Sequence, residues 1–392
     1  VKELLHKQSV LVLLGTGGVG KTTVAAALGL AAADAGLNTA VITIDPSRRL
    51  RDALGLRKPG LKPTKLSRTR LAAAGLTPEA QLSALMLDAG AMWNDLVEHL
   101  NGDPTTRERI LANPFYRRFT EQFPGAETYA ALEQLYYLHH ERLFDTLIVD
   151  TPPAAHALEF LDAPERLIRL LRTRGVHWLF KPPLTVAAMA ARFASRAARL
   201  VAEQLERFAG LEAVSQAADF FSTASQMVGE LEERFERVNR LLQKPYTRFV
   251  LVTTAEPQHL AHARRLIEEL KARRLRLGAI VINRFADDMT CSALVAGYAQ
   301  EPPHLQEIAA LRGLISEMPS PKPGMRALIE HLDNYRAQTQ ERLLAIEHFA
   351  RSLPRDVILE FVPESPSKVN DLHGLFEIAA RFTIKPKPSD RL

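Results

Sequence analysis

One nine-residue stretch narrows the folds open to this chain more than any other. Gly15-Thr16-Gly17-Gly18-Val19-Gly20-Lys21-Thr22-Thr23 fits the pattern GxxxxGK[ST], and it lies between an apolar run at 10–14 and an alanine-rich helical stretch. Its glycines let backbone N–H groups turn inward around a phosphate. Lys21 supplies a point charge to the phosphate oxygens, and the Thr22 hydroxyl is able to ligate Mg²⁺. A glycine-rich turn that merely looks like the motif gives no reason for all four fixed positions at once. The strand, loop and helix order calls for a βα unit in a parallel sheet.

The rest of the chain agrees. Six β-branched or leucine-rich runs, at 10–14, 40–44, 146–149, 249–254, 279–283 and 357–362, read as strands, with helical patterning between them. Most are continuously apolar, as strands are when helices cover both faces. The expected fold class is α/β, a doubly wound, mainly parallel sheet. Gly36 reads as the C-cap of the first helix, so the first 45 residues form one βαβ unit. Two long helical stretches, about 78–140 and 164–243, interrupt the alternation. They are expected to form a helical subdomain inserted in a single domain covering 1–392, with 384–392 as a flexible tail. Within the second stretch Phe221, Ala224, Val228, Leu231, Phe235, Val238 and Leu242 recur along one helical face. The opposite face sets Glu230 by Arg234, Glu233 by Arg237 and Glu236 by Arg240.

Two of the expected strands end in acids, where ligands gather in open α/β sheets. Asp45 opens Asp45-Pro46-Ser47, and Asp150 opens Asp150-Thr151-Pro152-Pro153. A carboxylate at either place is able to hold a Mg²⁺ water or orient a water for in-line attack on a phosphoryl group. An isolated Asp at a strand end is more often a turn residue; two of them after a phosphate loop favour the functional reading.

Composition sets the outer limits. With 46% apolar and 24% charged residues in 392, and no long apolar run, the chain is neither disordered nor membrane-spanning. Its one cysteine, Cys291, makes neither an internal disulfide nor a four-thiolate zinc site. The opening VKELLHKQSV has no apolar signal core, and a reducing cytoplasm is the expected compartment. The net charge of +5 sits in two runs. Residues 47–70 hold nine Lys/Arg and one acid, 166–200 hold eight and none, and the remainder carries −11. A chain acidic outside two basic runs is not expected to be a general nucleic-acid binder.

Residues 57–70, interleaved with Pro59, Gly60 and Pro63, read as an exposed loop. In 166–200, Arg192, Arg196 and Arg199 share one side of a helix whose apolar face holds Val186, Met189, Phe193 and Leu200. Two readings of that segment stand. One is a helix packed on the core with solvated arginines; the other is a surface for a hydrophobic peptide, an anionic lipid surface or a partner protein.

At this point several motifs together resemble a known family. Gly17-Gly18-Val19-Gly20-Lys21-Thr22, Ile44-Asp45-Pro46-Ser47 and Asp150-Thr151-Pro152-Pro153-Ala154-Ala155-His156 are similar to the ArsA/Get group. That group holds arsenite-pump ATPases and tail-anchored-protein targeting factors, of the deviant Walker A class that also contains MinD and ParA. Phe123-Pro124-Gly125-Ala126-Glu127, Val281-Ile282-Asn283-Arg284 and the stretch from Val362 and Pro363 to Leu375 extend the likeness to about residue 382. The resemblance implies a P-loop NTPase fold and Mg²⁺-dependent ATP hydrolysis. It implies that Gly15 to Thr23 bind the phosphates, with Lys21, Asp45 and Asp150 catalytic and Thr22 and Asp150 at the metal. It further implies that Asn283 and the Pro363 loop hold adenine. A dimer, homodimeric or with a related ATPase, would switch a helical surface that binds a protein or hydrophobic peptide client. Peripheral membrane contact is a further possible use of that surface.

Three departures bear on these implications. The class has a lysine, reaching the partner's phosphates, where this chain has Thr16. Hydrolysis is then slow, or another cation such as Arg48 or Arg49 stands in. Ala154-Ala155 replaces Thr-Gly, and His156 reads equally as a hinge or a phosphate sensor. One cysteine excludes arsenite capture by several thiolates and a zinc clamp built on paired CxxC motifs. Two rival functions remain: a nucleotide-binding regulatory or structural subunit with little hydrolysis, and a ParA/MinD-like patterning ATPase.

Overall fold

Alternation within the apolar runs decides how the layers form. In β1 (Ser9–Gly15), Val10, Val12 and Leu14 enter one core cluster while Leu11 and Leu13 enter another, and all are fully buried. A strand with both faces covered has no polar side, which is why the run looks unbroken in the sequence.

A computed structural model describes residues 1–44, 51, 54–56, 58–100, 103–122, 126–151, 157–172, 216, 219–220, 222–224, 227–285, 303–317, 323–364 and 371–382. After β1 the chain runs through α1 (Lys21–Asp34), β2 (Asn38–Thr43), β3 (Thr64–Lys65), α2 (Arg68–Ala73) and β4 (Gln81–Met86). There follow α3 (Ala89–His99), α4 (Pro104–Ala112), α5 (Pro114–Gln122), α6 (Ala126–His140), β5 (Thr146–Asp150), α7 (Ala157–Arg172) and α8 (Val228–Leu242). The remainder is β6 (Thr247–Thr253), α9 (Pro257–Ala272), β7 (Leu277–Ile282), α10 (Pro303–Ser316), α11 (Pro323–Ala350), β8 (Ile358–Phe361) and α12 (Leu372–Arg381).

The eight strands form one sheet in the order β3-β4-β2-β5-β1-β6-β7-β8, parallel except for β3. The chain leaves β1 toward β2 and later returns to its other side as β6, so the order reverses around β1, where a ligand crevice is expected. On one face α1 and α12 pack together and on the sheet; α1 is buried nearly all round, and Gly29 lets it approach Val41 closely. The other face carries α3 to α9 and the end of α11, where Ile346 and Phe349 are fully buried. Among the described residues no helix is long and apolar enough to cross a membrane.

All six expected strands form, and the structure adds two. β4 lies inside the stretch expected to be helical from Pro78, so helices begin only at Ala89. Gln81-Leu82-Ser83-Ala84-Leu85-Met86 is rich in helix formers, but parallel pairing with β2 from Asn38↔Gln81 to Thr43↔Met86 overrides that propensity. The basic run expected to be an exposed loop is also partly ordered. Thr64 and Lys65 pair antiparallel with β4, and the Ser67 side chain caps α2 by accepting from Arg70 N–H. Lys58, Lys62, Lys65 and Arg68 are exposed all the same.

The helical stripe on α8 faces the core, with Phe235, Val238 and Leu242 buried. Two of its three expected ion pairs form, Arg237 to Glu233 at 2.5 Å and Arg240 to Glu236 at 3.4 Å. Arg234 reaches across to α6, donating to Glu133 Oε1 through Nε at 3.0 Å and through its terminal nitrogen at 2.7 Å. Tyr129 donates to the other oxygen of the same fully buried carboxylate at 2.8 Å. Side chains of α3, α5, α7 and α8, among them Trp93, Phe119, Leu167 and Phe235, surround an apolar cavity of about 70 Å³.

Candidate functional site

The loop from Gly15 to Gly20 is shaped by what surrounds it. A Cβ on Gly15 would fall within 2.4 Å of the Val252 carbonyl oxygen on β6, so only glycine lets the loop leave the sheet there. Gly20, at φ 86°, turns the chain into α1 in the left-handed region that glycine alone enters without strain. No side chain caps α1, so its first-turn N–H groups are available to an anion, reinforced by the helix dipole. Thr16 Oγ1 is buried and has no hydrogen-bond partner among the described residues.

Lys21 and Thr22 open α1 and meet the end of β5. Thr22 Oγ1 donates to Asp150 Oδ2 at 2.7 Å, and Thr43 Oγ1, at the end of β2, donates to the same oxygen at 3.2 Å. Lys21 Nζ lies 3.9 Å from Asp150 Oδ1, close enough for charge attraction but too far for a hydrogen bond. Lys21 is 6% exposed and Asp150 0%, so this attraction acts with little screening by solvent. Thr151 donates to the Leu13 carbonyl at 2.6 Å, tying the segment after Asp150 to the phosphate-loop strand.

One hydroxyl and one carboxylate, both hard oxygen donors, suit Mg²⁺, which keeps most of its waters and takes one or two protein ligands beside phosphate oxygens. The available N–H groups, Lys21 and the orphaned Thr16 hydroxyl suit the phosphates themselves. Among the described residues no group of three or more His, Cys, Asp and Glu side chains is placed to hold a metal.

The structure brings Asn283 and Pro363 to the same edge of the sheet. Asn283 follows β7 and is 5% exposed; the loop after β8 joins it where Val362 N–H donates to Ile282 O at 2.9 Å and Phe285 N–H to Val362 O at 3.0 Å. Pro363 is half-buried. The Asn283 amide donates to the Val19 carbonyl of the phosphate loop at 2.7 Å, a contact with no local signal in the sequence. Asp45, Arg48, Arg49, Pro152 to His156, Phe123 to Gly125, the segment 173–215, Cys291 and the tail 384–392 lie outside the described residues.

Two groups at this edge were not singled out from the sequence. Thr43 reads in the sequence as a strand residue among apolar neighbours, yet it shares Asp150 Oδ2 with Thr22. At the end of β6, beside the loop, Thr254 donates to Glu256 and lies 2.7 Å from His259 Nδ1, while Arg342 of α11 donates to Glu256 at 3.1 Å. Burial pushes the Glu256 carboxyl up, but the Thr254 and backbone hydrogen bonds with the charges of Arg342 and His259 outweigh it and hold it below the usual range. The signal was only its position at the carboxyl end of a strand flanking the phosphate loop.

The sequence pattern of the anion-transporting ATPase family matches residues 8–311. An uncharacterized protein of Streptomyces coelicolor is 35% identical over 183 residues, 46% of this chain and 42% of that one. A Halobacterium salinarum protein named "Putative arsenical pump-driving ATPase" is 30% identical over 154 residues, 39% of this chain and 23% of that one. ATPase GET3 of Candida tropicalis is 27% identical over 317 residues, 76% of this chain and 79% of that one. The chain thus spans less than half the length of the first two relatives and most of the third.

Proposed function

Because the chain belongs to the anion-transporting ATPase family, we propose that it binds Mg·ATP and hydrolyses it, and that the nucleotide state switches its helical layer. The observation that carries this reading is the convergence of Lys21, Thr22 and Asp150 at the mouth of an uncapped helix. The backbone of Gly15 to Thr23 binds the β- and γ-phosphates, and Lys21 stabilises charge on the transferring phosphoryl group. Thr22 and Asp150 hold Mg²⁺, which when bound neutralises charge on the phosphate oxygens. Asp45 orients the attacking water, and Asn283 with the Pro363 loop holds adenine, roles that rest on the family resemblance.

The helical layer supports the switch. From Asp150 the chain passes in six residues to α7, which packs on both α8 and α6 and, with α8, helps line the apolar cavity. A displacement of Asp150 on nucleotide turnover is therefore passed to helices that present a surface to a protein or hydrophobic peptide client. Action as a dimer, with itself or with a related ATPase, completes the proposal.

Thr16 favours a second reading, a nucleotide-binding subunit with slow hydrolysis that depends on a partner's cation. One experiment separates the two: Mg·ATP hydrolysis measured across a protein concentration series, with Asp45→Asn and Asp150→Asn as controls. Specific turnover that rises with concentration and disappears in both variants supports a self-sufficient dimeric ATPase. Tight binding with turnover no faster than in the variants supports the second reading, and a sharp rise in Thr16→Lys would identify the cause. Absence of ATP binding refutes both.

A further inference from the structure

We propose that Asn283 is a positioning residue that holds the phosphate loop in its anion-binding shape, by hydrogen bonding the Val19 carbonyl from behind. The proposal rests on the reading of residues 15–22 as the phosphate site, and it assigns Asn283 work independent of any base.

A planar trans peptide points its C=O and the next N–H in opposite directions, and the described chain has no cis peptide. Asn283 Nδ2 donates to the Val19 oxygen at 2.7 Å. Fixing that oxygen toward β7 therefore turns the Gly20 N–H away from β7, to join the uncapped N–H groups of α1. If the peptide flipped, the carbonyl would face the phosphate and repel it.

The anchor is itself rigid. Asn283 N–H donates to Thr253 O at 2.8 Å, which ties it to β6. Arg284 next to it takes φ 54°, a left-handed conformation rare for arginine, and the chain then closes on Val362 through Phe285, whose side chain is fully buried. The fit to the loop is tight as well: a Cβ on Gly20 would stand 2.2 Å from Asn283 Nδ2. The amide of Asn283 thus leaves room for glycine alone at position 20, although 263 positions separate them in the chain.

The chemistry needs a neutral donor there. An aspartate is nearly the same size but turns an oxygen toward the Val19 oxygen, so the hydrogen bond becomes a repulsion. An asparagine amide has two N–H donors and one carbonyl, so one N–H on Val19 leaves the other N–H and the carbonyl for a base edge. One side chain would then join the base pocket to the phosphate loop.

Binding of inorganic tripolyphosphate, which has no base, separates this role from adenine reading. Dissociation constants for tripolyphosphate, ATP and GTP, all with Mg²⁺, are measured by calorimetry on the full chain, Asn283→Asp and Asn283→Ala. Lys21→Ala serves as the control for lost phosphate binding. Circular dichroism checks folding, and where Asn283→Asp fails to fold, Asn283→Ala is read by the same criterion. The expected result is that tripolyphosphate and ATP weaken together, about tenfold or more in Asn283→Asp and less in Asn283→Ala. Tripolyphosphate affinity within about twofold of the parent, whatever happens to the ATP to GTP ratio, overturns the proposal. A parent chain that binds neither tripolyphosphate nor ATP overturns the phosphate-site reading instead.

Discussion

Removing Arg234 should cost more stability than removing any other arginine of α8, because of what it leaves behind. Glu133 is fully buried and its carboxylate has three described donors, two from Arg234 and one from Tyr129. Arg234→Met keeps the aliphatic stem but strands the carboxylate with the tyrosine alone. Breaking a buried pair from one side costs roughly 3–5 kcal/mol. Arg234 is 22% exposed, so solvent screens part of the pair and the lower end, about 3 kcal/mol, applies. Adding Glu133→Gln removes the stranded charge while keeping an acceptor for Tyr129, so the double variant should recover about 2 kcal/mol relative to the sum of the single changes. Trp93, 5.2 Å from Tyr129 between ring centroids, makes the helical layer its own reporter once the second tryptophan is removed in a Trp178→Phe background. Urea unfolding followed by Trp93 fluorescence should show the midpoint of Arg234→Met lowered by about 1 M. A shift no larger than that of Arg237→Met, whose surface pair with Glu233 contributes little, would refute the reasoning, as would strictly additive single changes.

Three further outcomes follow from the site and its surroundings. Gly20→Ala forces a Cβ into a left-handed position and against Asn283, and should weaken ATP binding about tenfold or more by calorimetry; unchanged affinity would contradict the loop geometry. Thr22→Val keeps the shape of the side chain without its hydroxyl, so the gain in ATP affinity that Mg²⁺ gives over EDTA should shrink, leaving what Asp150 holds, and an unchanged Mg²⁺ effect would count against Thr22 as a ligand. Burial, with His140 and Arg142 nearby, holds the His139 imidazole below its usual value. The unfolded chain therefore takes up this proton first, so the stability contributed by His139 is complete above about pH 6.5 and is lost as pH falls through the folded value. His139→Phe keeps a ring against Tyr246, where the present stack has centroids 5.0 Å apart, and should lose less urea resistance than the parent between about pH 7.5 and about pH 5.5. Equal losses would show that other groups set that dependence.

How far the sequence could be read depended on the distance over which each feature is determined. The phosphate loop and the strands around it were legible because glycine positions, the Lys-Thr pair and continuous apolar runs are local signals. β4 was not, since its residues favour a helix in isolation and only the edge of β2 makes them a strand. Helical spacing pairs Arg234 with Glu230 one turn away, while the fold offers it a buried carboxylate, Glu133, on another helix.

By itself the sequence determined six of the eight strands, the class of sheet and which side chains could meet a phosphate, because these follow from periodicity and from chemistry carried within a few residues. Only the tertiary structure decided that Thr22 and Thr43, from two different elements, converge on one oxygen of Asp150. It alone placed Asn283 behind Val19 and against Gly20. Hydrogen bonds between residues far apart in the chain leave no periodic trace, and they exist only once the sheet has set its strands side by side.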